Sequence, residues 1–106
     1  MILRRGNARG AQTRAKIIEQ GFTLALLEGL QSVTRNRVAT EAGVPKNTIN
    51  HHFGGAIQFR REIALHAVAT GSTEEPILQI VRDALLMRVL QGNELSRGLK
   101  TKALAL

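Results

Sequence analysis

The segment KNTINHHFGG, Lys46 to Gly55, gathers the side chains of this chain with the most chemical potential. Two adjacent histidines suggest metal ligation or proton transfer, the amides and hydroxyl suggest polar recognition, and two glycines suggest a phosphate cradle. Ligation has the wrong spacing: neighbouring helical residues project about 100° apart, whereas a shared metal needs i, i+3 or i, i+4 separation. The chain has no cysteine, which removes disulfides, thiolate zinc sites and thiol nucleophiles, and His66 falls in a later segment. Neither histidine has a nucleophile or an acid beside it in sequence, so no enzyme, metal or cofactor is expected. Gly54-Gly55 by itself is the ordinary signal of a helix stop and turn. The following helix N-terminus, Arg60 and Arg61 could still meet a phosphate, or the two arginines could form a solvated face.

Charge points to a polyanion instead. Fifteen Lys and Arg stand against eight Asp and Glu, a net charge of +7, and the pI is near 11.4. Residues 1–16 carry Arg4, Arg5, Arg9, Arg14 and Lys16 and no acid. Such an excess favours nucleic acid, although a basic protein that is only soluble fits the bare number too. Three Phe with no Trp or Tyr argue against an aromatic platform for stacked bases. The opening MILRRGNARGAQTR lacks the apolar run of a secretory leader, and no stretch is long enough to span a membrane. A cytoplasmic location is expected.

The elements that must hold the segment are helical throughout. With 106 residues the chain has room for one core. Residues 1–12 read as a flexible basic arm. From Thr13, a candidate cap, Ile17, Ile18, Gly21, Phe22, Ala25, Leu26 and Leu30 follow helical spacing, with Gly29 as the stop. Thr34 or Asn36 can cap a short helix to about Ala42. Gly43 ends it, Pro45 leads into a second helix over 46–53, and Gly54-Gly55 close that one. Ala56 to Thr70, with Ile57, Ile63, Ala64, Ala67 and Val68, makes another. Ser72-Thr73-Glu74-Glu75-Pro76 then starts a helix over Ile77–Leu90 whose few polar residues do not share a face. A helix apolar nearly all round needs cover, either as an internal core element or as a dimer seam; with so few residues left to cover it the seam is the favoured reading, formed by Ile77, Ile80, Val81, Ala84, Leu85, Met87 and Arg88. The tail after Gly92 has no firm period and is compatible with disorder, a last helix or a partner-ordered arm.

Residues 35–54 satisfy the requirements of a helix-turn-helix together. Ala39 is the small residue where a second helix crosses, Gly43 tolerates positive φ at the turn, and Val38, Ala42, Val44 and Ile49 face inward. Lys46, Asn47, Thr48, Asn50 and His51 are left polar and outward. The run Val38-Ala39-Thr40-Glu41-Ala42-Gly43-Val44-Pro45-Lys46-Asn47-Thr48-Ile49-Asn50-His51-His52-Phe53 resembles the DNA-binding domain of the TetR family, whose pattern is I-A-x-x-A-G-V-S-x-x-T-L-Y-x-H-F. The register holds without gaps over roughly residues 13–70. Three positions depart from it: Asn50 replaces a phosphate-contacting tyrosine, Ala56 a phosphate-contacting lysine, and Asn47 a common glycine.

The resemblance implies an all-α, TetR/homeodomain-like three-helix module over 13–71, followed by one or two helices over 72–106 for dimerisation. It places Asn47, Thr48, Asn50 and His51 on the reading face of the second helix. Asn suits a bidentate contact to adenine, Thr a thymine methyl or a phosphate, and Lys or His⁺ guanine or phosphate. His52 falls at the family's histidine, for a phosphate contact or simple packing, while Arg35, Arg37 and Lys46 are placed to grip the backbone. Arg4, Arg5 and Arg9 would reach the neighbouring minor groove. The family's long ligand-binding domain has no counterpart in the roughly 36 residues after Thr70, so no small-molecule inducer is expected. The expected function is a transcriptional regulator, a repressor acting as a homodimer on palindromic double-stranded DNA. Alternatives are a packaging or partition protein using the module in a larger oligomer, and a protein–protein adaptor.

Overall fold

The structure of the protein is a computed structural model that describes residues 5–106, with side chains from Arg9 onward. Among these residues there are six α-helices, two short 3-10 turns and no strand. The helices are α1 (Arg5–Glu28), α2 (Arg35–Ala42), α3 (Lys46–Phe53), α4 (Ala56–Ala69), α5 (Glu75–Leu86) and α6 (Arg97–Leu104). No helix among the described residues is long and apolar enough to cross a membrane.

α1 starts well ahead of Thr13 and takes in residues 5–12, which were expected to form an arm. Ala8, Arg9, Ala11 and Gln12 are good helix formers, enough to outweigh two glycines once the helix beyond is anchored. The anchor is an inward stripe of Ile17, Ile18, Leu24 and Ala25. Between these residues Gly21 lies where α4 passes closest: a Cβ there would stand 2.6 Å from Ile63 Cδ1 and 3.4 Å from Phe59 Cζ. α4 answers with Phe59, Ile63 and Ala67, one helical stripe, joined by Ala64. Ile57, expected inside, is 62% exposed, because it sits two residues before Phe59 and so on the opposite side of α4.

α5 corrects the expectation of an uncovered helix. Ile77, Leu78, Ile80, Val81 and Ala84 are all buried within the single chain, against α1 and α4 on one side and α6 on the other. The segment after Gly92 makes this possible. Ser96 accepts a hydrogen bond from the Leu99 N–H at 3.2 Å, starting α6, and Ala103 then packs on Leu78 and Val81. The expected start is also revised: Glu74 occupies the N-cap position, with Pro76 just inside, and Ser72 Oγ accepts from the Glu74 N–H at 3.1 Å. The helix ends at Leu86 and not at Leu90, with Arg88 left-handed at φ 62°. The Val89 N–H then bonds back to the Ala84 carbonyl at 2.9 Å, which returns Val89 and Leu90 to the core. Four of the seven expected seam residues, Ile77, Ile80, Val81 and Ala84, are therefore internal core. Leu85 is half-buried, and Met87 and Arg88 remain at the surface.

An ion pair fastens the α5–α6 connection to α4. Arg61 donates to both Glu94 carboxylate oxygens and to the Val89 carbonyl, and the Gln91 N–H donates to Glu94 at 2.6 Å. Arg61, and then the Gln91 amide, hold the Glu94 carboxyl down to about 2.

Gly21→Val should lower unfolding stability by about 1–3 kcal/mol in a denaturant titration, since the added methyls have no space beside Ile63 and Phe59. Glu94 contributes stability that is present above the ordinary carboxylate range and lost as pH falls from about 4.5 toward about 2. The melting temperature of Glu94→Gln should accordingly lie below that of the unaltered chain at pH 6, with the gap closing by pH 2.

Candidate nucleic-acid interface

α2 begins at Thr34, whose Oγ1 accepts from the Arg37 N–H at 3.2 Å. It ends at Gly43, in left-handed geometry at φ 71° and ψ 34°. The Gly43 N–H bonds the Thr40 carbonyl at 3.2 Å and the Val44 N–H bonds the Ala39 carbonyl at 3.0 Å. A residue with a Cβ resists this backbone, so glycine is what lets the chain reverse in so few residues. Extended Pro45 then opens α3, and Gly54 at φ 85° closes it. Both helices have the expected limits, and Thr34, not Asn36, is the cap.

Underneath, Val38, Ala39, Ala42, Ile49 and Phe53 are buried and Val44 is packed on the same cluster. Phe53 meets Phe59 with ring centroids 5.0 Å apart. The Arg14 guanidinium lies 4.7 Å from the Phe53 ring and 3.2 Å from Glu62. α1 and α4 thus clamp the C-terminal end of α3 through a residue that spacing alone did not single out. Its only sequence signal was a charge one helical turn before Ile17 and Ile18, on their face of the helix.

Outward, α3 carries no acidic residue. Lys46, Asn47 and His51 are exposed, and no side-chain hydrogen bond or ion pair engages them among the described residues. Thr48 and His52 are half-buried, and the His52 ring lies 6.1 Å from Phe53 and 5.6 Å from His51. Asn50 is half-buried as well, and its Oδ1 accepts from Arg35 Nη1 at 2.7 Å. Lys46, Asn47, Thr48, Asn50, His51 and His52 are thereby brought onto one short helix, with Arg35 tied to its middle.

The remaining cations divide. Arg37 donates to both oxygens of Glu28 at 2.6 and 2.5 Å; this bonding raises the Arg37 pKa and lowers that of Glu28. A backbone contact by Arg37 would have to compete with that pair. Arg60 donates to the Val33 carbonyl at 3.0 Å and the Gln31 carbonyl at 3.4 Å, and Arg61 is held by Glu94, so neither is the freely solvated face that was considered. Arg9 is exposed on α1. Arg4 lies outside the described residues, as does the side chain of Arg5, whose backbone is helical. A helix about 10–12 Å across does not enter a minor groove about 6 Å wide, so the backbone of residues 5–12 offers no thin arm for that groove.

The family described as "Bacterial regulatory proteins, tetR family" matches residues 17–55. The match runs from the first buried isoleucine of α1 through the glycines that end α3, and is narrower than the expected 13–70. No curated protein and no solved structure matches the chain. Within residues 17–55, the αL turn at Gly43, the buried Ala39 and the polar outer face of α3 coincide with that match. Residues 17–55 of this chain match the helix-turn-helix DNA-binding domain of the TetR family, a family of bacterial regulatory proteins.

Proposed function

We propose that the chain is a sequence-specific regulator that lays α3 in the major groove of double-stranded DNA and represses by occupying its site. The observation that carries this is the outer face of α3: Lys46, Asn47 and His51 exposed and unengaged among the described residues, on a helix without acids. Those side chains offer donors and acceptors of the kinds that base edges take, with Arg35 beside them for the backbone. No enzymatic step and no small-molecule inducer belong to the proposal, and the place of action is the cytoplasm.

The proposal includes a homodimer on a two-fold site. With α5 largely internal, the two-fold contact falls to what α5 and α6 leave outside, Leu86, Met87 and Leu104, which are 61%, 36% and 47% exposed. Paired α3 helices would then read half-sites about 10–10.5 bp apart, or a multiple of that, centre to centre.

Binding to random duplex DNA across a salt series tests the reading. Affinity should fall steeply with salt, since each phosphate contact releases counterions; no binding at low salt would contradict it. His51→Ala should cost about 1–3 kcal/mol and relax preference at one base pair in sites selected from a random pool. Light scattering should give a dimer that Leu86→Glu converts to monomer, whereas a larger ring or filament would point to a packaging role and against the repressor.

A further inference from the structure

Arg35 and Asn50 lie fifteen residues apart, at the start of α2 and in the middle of α3, and meet at 2.7 Å. A guanidinium has five N–H donors and no acceptor, so the atom facing it can only be the amide oxygen of Asn50. The Nδ2 group, with its two N–H bonds, is then turned away from Arg35. We propose that Arg35 is a positioning residue that fixes this orientation, so that position 50 turns its hydrogen-bond donors to DNA and keeps its acceptor oxygen against the Arg35 charge. The proposal rests on the docking of α3 described above.

The consequence is a change in what Asn50 selects. The familiar asparagine contact to adenine is bidentate: the amide oxygen accepts from N6 while the amide nitrogen donates to N7. Here Oδ1 is already engaged, and an adenine amino group approaching it would also face the positive charge of Arg35. Donors alone suit an acceptor-only partner, either the O6/N7 edge of guanine or a phosphate oxygen. Both partners share one chemistry, and with neither does Asn50 select adenine.

Selection of bound sites from a random duplex pool, run with the full chain and with Asn50→Ala, Arg35→Met and Arg35→Lys, tests this. Thermal melting of each variant is followed in parallel. If the partner is guanine, Asn50→Ala relaxes the choice of guanine at one base pair by about tenfold. If it is phosphate, Asn50→Ala weakens all sequences by a similar factor and leaves their ranking intact. Arg35→Met frees the amide to turn and lets adenine into the selected sites at that position, while Arg35→Lys, which still donates to Oδ1, keeps it out. Adenine selected by the unaltered chain and lost in Asn50→Ala would overturn the inference, as would an Asn50→Ala chain indistinguishable from the original. An Arg35→Met chain that melts as before yet admits no adenine would overturn it too. A pool with no enrichment even at low salt would instead bring down the DNA-binding reading itself, and this inference with it.

Discussion

Eight residues are too few for a helix to hold itself in water, so everything at the candidate interface depends on the burial of Ile49 and Phe53. Each removes an apolar side chain from water, worth about 1.5–3 kcal/mol. Together they fix which face of α3 turns inward, and so which residues face out. Phe53 is held by Phe59 beneath it and by Arg14 on its other side. Because Phe59 belongs to α4 and Arg14 to α1, α3 is seated by elements before and after it in the chain.

That arrangement makes the C-terminal helices part of the site's foundation. α4 is packed on α1 at Gly21 and on α5 through its other side, and α6 closes over α5 with Ala103. The Arg61–Glu94 pair ties the connection between α5 and α6 back to α4. A chain of contacts therefore runs from α6 to α3, through apolar and aromatic side chains and the ion pairs of Arg14 with Glu62 and Arg61 with Glu94. The single chain covers α5 well enough that most of the residues expected at a dimer seam are core instead.

The parts legible in the sequence are those whose physical cause is local. Gly43, Pro45 and Gly54 mark the limits of α2 and α3 because positive φ and a missing N–H leave direct signatures. Ala39 and Ile49 are identifiable because helix crossing demands a small residue and an apolar one at fixed spacing. What was not legible depended on distant partners. α5 ends at Leu86 and the chain turns at Arg88, a residue that gives no hint of left-handed backbone. Arg37 is paired with Glu28, and the Asn50 amide oxygen is bonded by Arg35. Neither pairing leaves a trace in the spacing of residues. α5 looked uncovered because α6 has too few apolar residues to announce itself, although Ala103, with Leu95 and Leu99, closes over Leu78 and Val81.

The central claim is that α3 is the surface that meets DNA, and backbone hydrogen exchange with and without duplex DNA tests it most directly. The account predicts slowed exchange over Lys46–Phe53 and at the start of α2 when a binding duplex is added at low salt, with α5 and α6 little changed. Protection confined to α5 and α6, or none at a concentration where the duplex is bound, would contradict it.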